Sequence, residues 1–413
     1  MKEKLPSLRL HGATALLIAL CAALFLCAAA AETKLMVVSD LHYLEPSLYQ
    51  GSELFLQALR RGDGKITQYG EELMAALQKE IFAERPDALI VTGDLTFNGE
   101  KQSHAALADW FANVEAAGIP VWVIPGNHDI NSPTPIGYAS GLYYGVEGVT
   151  PETFAEIYAH CTEKGMVGFS YLAKVSDRLW VAMTDVSYYE EQAQTFGLFT
   201  ARHATWLEWA LREAGHAGVK VVTATHHNLI AHTEYGKESY LMFGSENMRA
   251  LTEKYGVPLN LCGHLHIQHI AREEGLADAA LGAFCIYPHR YAVVTLSDDG
   301  ALTYDARALS EQFLPEGFSD RSREWYLTVA SDKLKPSLTG TTEEIELMAD
   351  YAARFNLAYF SGTFHGEDPV WTEDTAYALW EKQPNASFLN YMKLVMREAS
   401  GSHLHLELSA DKP

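Results

Sequence analysis

The chain has 413 residues, 48% hydrophobic and 20% charged, enough for two domains or for one large domain with an appendage. Its formal net charge of -22, with no basic patch to offset it, excludes duplex nucleic acid as an expected partner. A small phosphate ester held by metal ions stays compatible, because bound cations supply positive charge locally.

Residues 1–31 read as a secretory signal. Lys2, Lys4 and Arg9 form a basic start, Ala13–Leu26 an apolar run, and Ala28–Ala31 a small-residue cleavage zone. The expected location is therefore secreted or extracytoplasmic, in the cell envelope. Removing this segment leaves 28 basic and 52 acidic residues, a net charge of -24. An uncleaved anchor is the alternative, since Ala13–Ala31 approaches a membrane span, and it is the one route to membrane contact. A lipid-modified Cys27 is disfavoured by the bulky Leu26 before it. Beyond this segment only Cys161, Cys262 and Cys285 remain, read as buried small hydrophobes because their number is odd and their spacing makes no framework.

The next 275 residues, 32–306, repeat one pattern: an apolar strand, a sharp turn, then a metal-binding side chain. Lys34–Ser39 ends at Asp40-Leu41-His42, where two side chains two residues apart in extended chain point the same way. Tyr43–Asp63 reads as a variable loop and Ile66–Glu84 as a helix, from its apolar spacing. Asp87–Thr92 is a strand ending at Gly93-Asp94, and His104–Ala117 a helix stopped by Gly118. Ile119–Ile124 is a strand broken by Pro125-Gly126, which leaves Asn127, His128 and Asp129 on the following loop. Asn131–Gly168 is a long insertion with one helix, Pro151–His160, read either as a substrate-facing lid or as a surface excursion.

Phe169–Val175 and Arg178–Thr184 form an expected antiparallel pair, followed by a helix at Ala201–Ala214. Val219–Thr223 runs as a strand into His226-His227-Asn228. A helix at Ser245–Tyr255 leads to the strand Pro258–Leu261 and then Gly263-His264-Leu265-His266. Tyr291–Leu296 and Ala301–Ala306 flank Asp298-Asp299-Gly300, a hairpin signature. From residue 307 to 413 the rhythm stops. Glu324–Leu334, Glu343–Asn356, Thr375–Lys382 and Asn385–Glu398 read as helices and Leu404–Leu408 as a terminal strand, a mostly helical appendage. His403 and His405 lie outside the rhythm and read as a solvated edge.

The strand-end residues are Asp40, His42, Asp94, Asn127, His128, His226, His264 and His266. Two carboxylates, an amide and several imidazoles without thiolates suit Mn, Zn or Fe. Seven ligands exceed the needs of one ion and suit two divalent or trivalent ions bridged by one carboxylate. Such a pair can activate a shared hydroxide and stabilise charge on an in-line phosphoryl transfer. His128 is then a candidate to stabilise the transition state or to protonate the leaving oxygen. Asp129 reads either as an orienting group or as a loop cap, and His227 as substrate contact or packing.

Asp40-x-His42, Gly93-Asp94, Gly126-Asn127-His128-Asp129, His226 and Gly263-His264-x-His266 together resemble the five ordered motifs of calcineurin-like metallophosphoesterases, over about residues 34–306. The resemblance implies an α/β fold, a two-sheet β-sandwich flanked by helices, with the metals at the carboxyl ends of the strands. It implies Asp40, His42, Asp94 and His266 as ligands of one ion, and Asp94, Asn127, His226 and His264 as ligands of the other. His128 takes the place of the family's non-ligand catalytic histidine. Phe97 stands where purple acid phosphatases carry a tyrosine ligand, so this chain is similar to the non-purple, Asp-x-His branch, which slightly favours phosphodiesters. A phosphomonoesterase or nucleotidase of the same fold, and a non-catalytic scaffold that keeps the metal site, are the alternatives.

Overall fold

The structure is a computed structural model and describes residues 32–235, 240–398 and 403–410. The N-terminal signal or anchor segment lies outside the described residues. Among those described, no helix is long and apolar enough to cross a membrane.

Strand β1 (Thr33–Val38) alternates by twos: Leu35 and Val37 belong to one buried cluster, Met36 and Val38 to another. A strand apolar on both faces must be covered on both. It pairs in parallel with β2 (Ala88–Val91), which pairs in parallel with β3 (Val121–Val123). On its other side lie the antiparallel strands β12 (Arg290–Leu296), β13 (Leu302–Ala308) and β14 (His405–Leu408).

A second six-stranded sheet has the order β10 (His269–Glu273), β11 (Leu276–Ala280), β9 (Leu259–Cys262), β8 (Lys220–Ala224), β7 (Leu179–Met183), β6 (Tyr171–Lys174). Leu35, Val37 and Ile90 meet Val181, Val222 and Leu261 between the sheets. Outside, Leu73 and Leu77 of α2 (Gly70–Glu84) and Leu107 and Phe111 of α3 (Lys101–Ala116) cover the first sheet. Trp206 and Leu211 of α5 (Ala201–Ala217) and Met248 of α6 (Ser245–Tyr255) cover the second. The result is the helix-flanked two-sheet sandwich that the resemblance implies. Because β1, β2 and β3 run in parallel, as do β8 and β9, their carboxyl-end loops gather along one rim.

Three stretches differ from the sequence reading. The loop expected at 43–63 contains α1 (Glu53–Arg60), held by burial of Phe55 and Leu59. The insertion at 131–168 contains a hairpin as well as the expected helix. Its hairpin, β4 (Ile136–Ala139) and β5 (Leu142–Gly145), lays Tyr138 against Phe55 with ring centroids 5.0 Å apart. Its helix α4 (Pro151–Ile157) drives Phe154 into the core beside His104. Aromatic burial fixes both pieces on the flank of the fold. The hairpin β10–β11, turned at Glu274-Gly275, was not anticipated.

The C-terminal region carries α7 (Phe318–Leu334), α8 (Thr342–Phe360), α9 (Thr375–Trp380) and α10 (Ser387–Glu398). A core of their own, including Tyr351, Phe355, Trp371, Trp380 and Met392, holds α8, α9 and α10 together. His403 is not solvated: it is buried, stacked on His269 at 3.8 Å between centroids, because the chain recrosses the sheets there to reach β14. His405 is exposed and pairs with Asp305. All three cysteines are buried and free.

Candidate metal centre

The rim loops leave their strands through backbone that ordinary residues avoid. Asp40, His42, Asp94, His264 and His266 have φ of 55°, 41°, 50°, 68° and 57°. Left-handed φ costs a non-glycine residue of order 1 kcal/mol or more and persists only where surrounding structure enforces it. Here the Asp40, His42 and Tyr43 amides donate to the Gly93, Asp94 and Leu95 carbonyls, each at 3.0 Å, locking the first loop onto the second. Asp40 and His42 therefore converge by loop geometry and not by extended-chain alternation, which corrects the sequence argument. Two glycines permit the close approach. A Cβ at Gly126 would overlap the Asp94 backbone and carboxylate, and one at Gly263 would overlap Ser39 and the Asp40 carboxylate.

All seven candidate ligands come together. Asp94 Oδ2 lies 3.6 Å from His42 Nε2 and 3.4 Å from His226 Nε2. Asp40 Oδ1 is 3.4 Å from His266 Nε2, and the His42 and His266 Nε2 atoms are 3.1 Å apart. Asn127 Oδ1 sits 2.9 Å from His264 Nδ1 and 3.2 Å from His226 Nε2. Carboxylate oxygens and imidazole nitrogens, groups that offer lone pairs to a cation once deprotonated, crowd here. His42 is fully buried, and its Nδ1 has no partner among the described residues. This donor chemistry fits divalent cations at the centre.

Charge in the cluster is uneven. Burial works against ionised Asp94, but the neighbouring His226 and His128 hold its carboxyl well below the usual range. Burial likewise works against charged His226 and His266, yet Asp94 beside the first and Asp63 beside the second raise each to about 9. His42 and His264 are pushed down, chiefly by burial, the latter to about 3.

His128 stands next to the ligands without joining them. Its ring meets that of His42 edge-on at 4.9 Å, and its Nδ1 lies 3.0 Å from both the Phe97 carbonyl and Asn98 Oδ1. Two oxygen acceptors at Nδ1 put the proton there and leave Nε2 free for other partners. Asp129 is a loop cap: its carboxylate accepts from the Gly126, Leu95 and Thr96 amides at 2.7, 3.2 and 3.0 Å. His227 is packing, buried with its ring 4.3 Å from that of His264 and against Gly197.

Two residues that the sequence reading did not single out belong to this site. Asp63 Oδ2 lies 2.6 Å from His266 Nδ1, on the ring edge away from Asp40. Lys65 Nζ lies 3.3 Å from the same oxygen. Burial opposes charge on both, yet the ammonium and His266 hold the Asp63 carboxyl well below its ordinary value. The only signal in the sequence was Gly62-Asp63-Gly64-Lys65, which reads as turn chemistry.

Residues 33–268 match the family profile of calcineurin-like phosphoesterases, and residues 312–401 match that of the C-terminal domain of cyclic nucleotide phosphodiesterase. Among solved structures, a dimetal phosphatase from Danio rerio is similar at 15% identity and a TM-score of 0.50, over 68% of this chain and 97% of that one. GAP50, the anchor in the inner membrane complex of Plasmodium, is similar at 12% identity and a TM-score of 0.40, over 71% and 94% of the two chains. No curated protein sequence matches. With its profile match spanning more than half the sequence and its motif side chains gathered on one rim, this chain belongs to the calcineurin-like phosphoesterase family.

Proposed function

We propose that the protein is a dimetal-dependent hydrolase of phosphodiesters, with nucleotide-derived esters as the favoured class. The observation that supports this reading best is the position of Asp94 Oδ2, 3.6 Å from His42 on one side and 3.4 Å from His226 on the other. In this reading Asp40, His42, Asp94 and His266 hold one ion; Asp94, Asn127, His226 and His264 hold the second. Bound there, two cations supply positive charge that screens a phosphate and lowers the pKa of water near phosphorus.

The chain's own residues do the rest. The left-handed loops fix the ligand atoms before substrate arrives, so little reorganisation is needed on binding. His128, with Nδ1–H tied to Phe97 and Asn98, would take up a second proton at Nε2 and, as imidazolium, give it to the leaving ester oxygen. Lys65, restrained by Asp63, adds a fixed positive charge beside the centre in a chain that is otherwise strongly acidic. The preference for diesters is supported by the Asp-x-His opening and by the profile matched at residues 312–401.

Turnover of bis(p-nitrophenyl) phosphate and of p-nitrophenyl phosphate, after chelation and after adding back Mn or Zn, tests the proposal. Activity should vanish on chelation, return with metal, and be faster on the diester. His128→Ala should lower kcat about 100-fold to 10,000-fold with metal content unchanged. A faster monoester rate would replace the diester reading with a phosphomonoesterase. No turnover with both ions bound would favour a scaffold.

A further inference from the structure

A cavity of about 460 Å³ lies between the C-terminal helices and the rim loop that carries His264 and His266. Leu265, between those two histidines in the chain, forms one wall together with Ile267; Asn356 and Tyr359 of α8 and Phe388 and Tyr391 of α10 form the other. We propose that this cavity receives the uncharged heteroaromatic ring of a nucleotide ester whose phosphate sits at the metal centre. The inference rests on the phosphodiesterase reading and adds the part of the substrate that the metals do not touch.

The lining decides the chemistry of the occupant. In a chain of net charge -22, none of the described residues that line the cavity carries a formal charge, so they favour an uncharged occupant over a phosphate, a metal ion or a peptide terminus. Phe388, Tyr391 and Tyr359 present ring faces and edges, on which a planar ring stacks whatever its sequence identity. Asn356 adds direction. Its Oδ1 accepts the Tyr391 hydroxyl at 3.1 Å, which fixes the amide and leaves its NH₂ to donate to a ring nitrogen or carbonyl. A chamber of ordinary ligand-pocket volume, walled by aromatic rings and edged by amide and hydroxyl groups such as Asn356, selects a flat ring with acceptor atoms over an alkyl chain.

The two walls are held in register, so the cavity is formed before any ligand arrives. The Gln268 amide donates to the Phe360 carbonyl at 2.8 Å, and Arg290 Nε donates to the Ser361 carbonyl at 2.8 Å. The first bond pins the end of α8 to the segment that follows His266, and the second pins it to β12. The C-terminal helices are thus the specificity wall of the site, and the metal rim is its reactive end.

The test uses the full-length, Mn-loaded protein and compares two competitive inhibitors of bis(p-nitrophenyl) phosphate turnover: inorganic phosphate and adenosine 5′-monophosphate. The nucleotide should inhibit at least about tenfold more tightly than phosphate, and Phe388→Ala and Asn356→Ala should each remove most of that advantage. The phosphate inhibition constant should stay within about twofold in both variants, which reports an intact metal rim and a folded protein. Hydrolysis with no nucleotide advantage, or an advantage that survives both variants, would overturn the cavity's role and leave the hydrolase reading standing. Titration calorimetry with adenosine, which has no phosphate, separates the other failure. Adenosine binding without hydrolysis of any ester would overturn the hydrolase reading, and with it the cavity as a substrate site.

Discussion

Asp63 shows what a single carboxylate does at this rim. By accepting from His266 Nδ1 at 2.6 Å, it fixes the ring's tautomer and leaves Nε2, the candidate ligand atom, facing Asp40. A carboxylate behind a metal-binding histidine orients the ring and raises its basicity, and losing one costs about 10-fold to 100-fold in metal affinity or activity. Asp63→Asn should therefore weaken metal retention and kcat/KM by about that factor, read by metal analysis after dialysis and by steady-state rates, with the melting temperature little changed. The candidate ligands were legible because each follows an apolar run and a turn: Asp94 after Gly93, Asn127 after Pro125-Gly126, His264 after Gly263. Asp63 and Lys65 were not. No strand precedes them, and Asp63's partner His266 is 203 positions away, a pairing that spacing along the chain does not carry.

At the scale of elements, the start of α3 carries an unusual acid. Glu100 precedes the helix, fully buried; one carboxylate oxygen accepts from the Asn98 amide at 3.0 Å and the other has no partner among the described residues. Burial pushes its pKa up to about 7. An unfolded chain releases this proton near its ordinary value of about 4.3, whereas the native state keeps it until about pH 7. Stability from this group is therefore fully present below pH 4.3 or so and is lost as pH rises through about 7. Glu100→Gln keeps the shape without the charge. Denaturant midpoints should match wild type at pH 4 and exceed it at pH 8, by about 1–3 kcal/mol in unfolding free energy. An unchanged pH profile would sink the assignment.

Elements also show where reading by periodicity ran out. Strong alternation or apolar spacing gave β1, β12, β13, α2 and α5. The hairpin β10–β11 escaped because Ala-rich Leu276–Ala280 is buried on both faces and shows no alternation. α1 escaped because it is short and Leu54, Leu56 and Ala58 crowd its two buried side chains, Phe55 and Leu59, which blurs the helical spacing. His403 escaped for another reason: its burial depends on His269, far away in the sequence, and no local pattern announces it.

At the scale of the whole molecule, the helical region is sewn into the catalytic sheet. The chain leaves β13, folds α7 through α10, and returns as β14 to pair with β13, with Leu302 opposite Leu408 and Asp305 opposite His405. Trp325 Nε1 donates to the Lys65 carbonyl at 3.0 Å, beside the metal rim, and the α8 end bonds to Gln268 and Arg290. With a shared sheet and bonds on both sides, the two regions should unfold together. Calorimetry should give one transition whose calorimetric and van't Hoff enthalpies agree, and far-ultraviolet and tryptophan signals should coincide. Two separated transitions would mean that the C-terminal helices are an independent domain.

The pairing of β13 with β14 also sets a timetable. Asp305 and His405 are 100 positions apart, so a ribosome finishes the outer edge of the first sheet long before it delivers the strand that covers it. Until then β13 offers a bare row of amides and carbonyls to any neighbouring nascent chain, the condition under which strands pair with the wrong partner. Yield from expression should therefore depend on how quickly the codons between β13 and β14 are read, and a tag fused after β14 would be safer than a truncation before it.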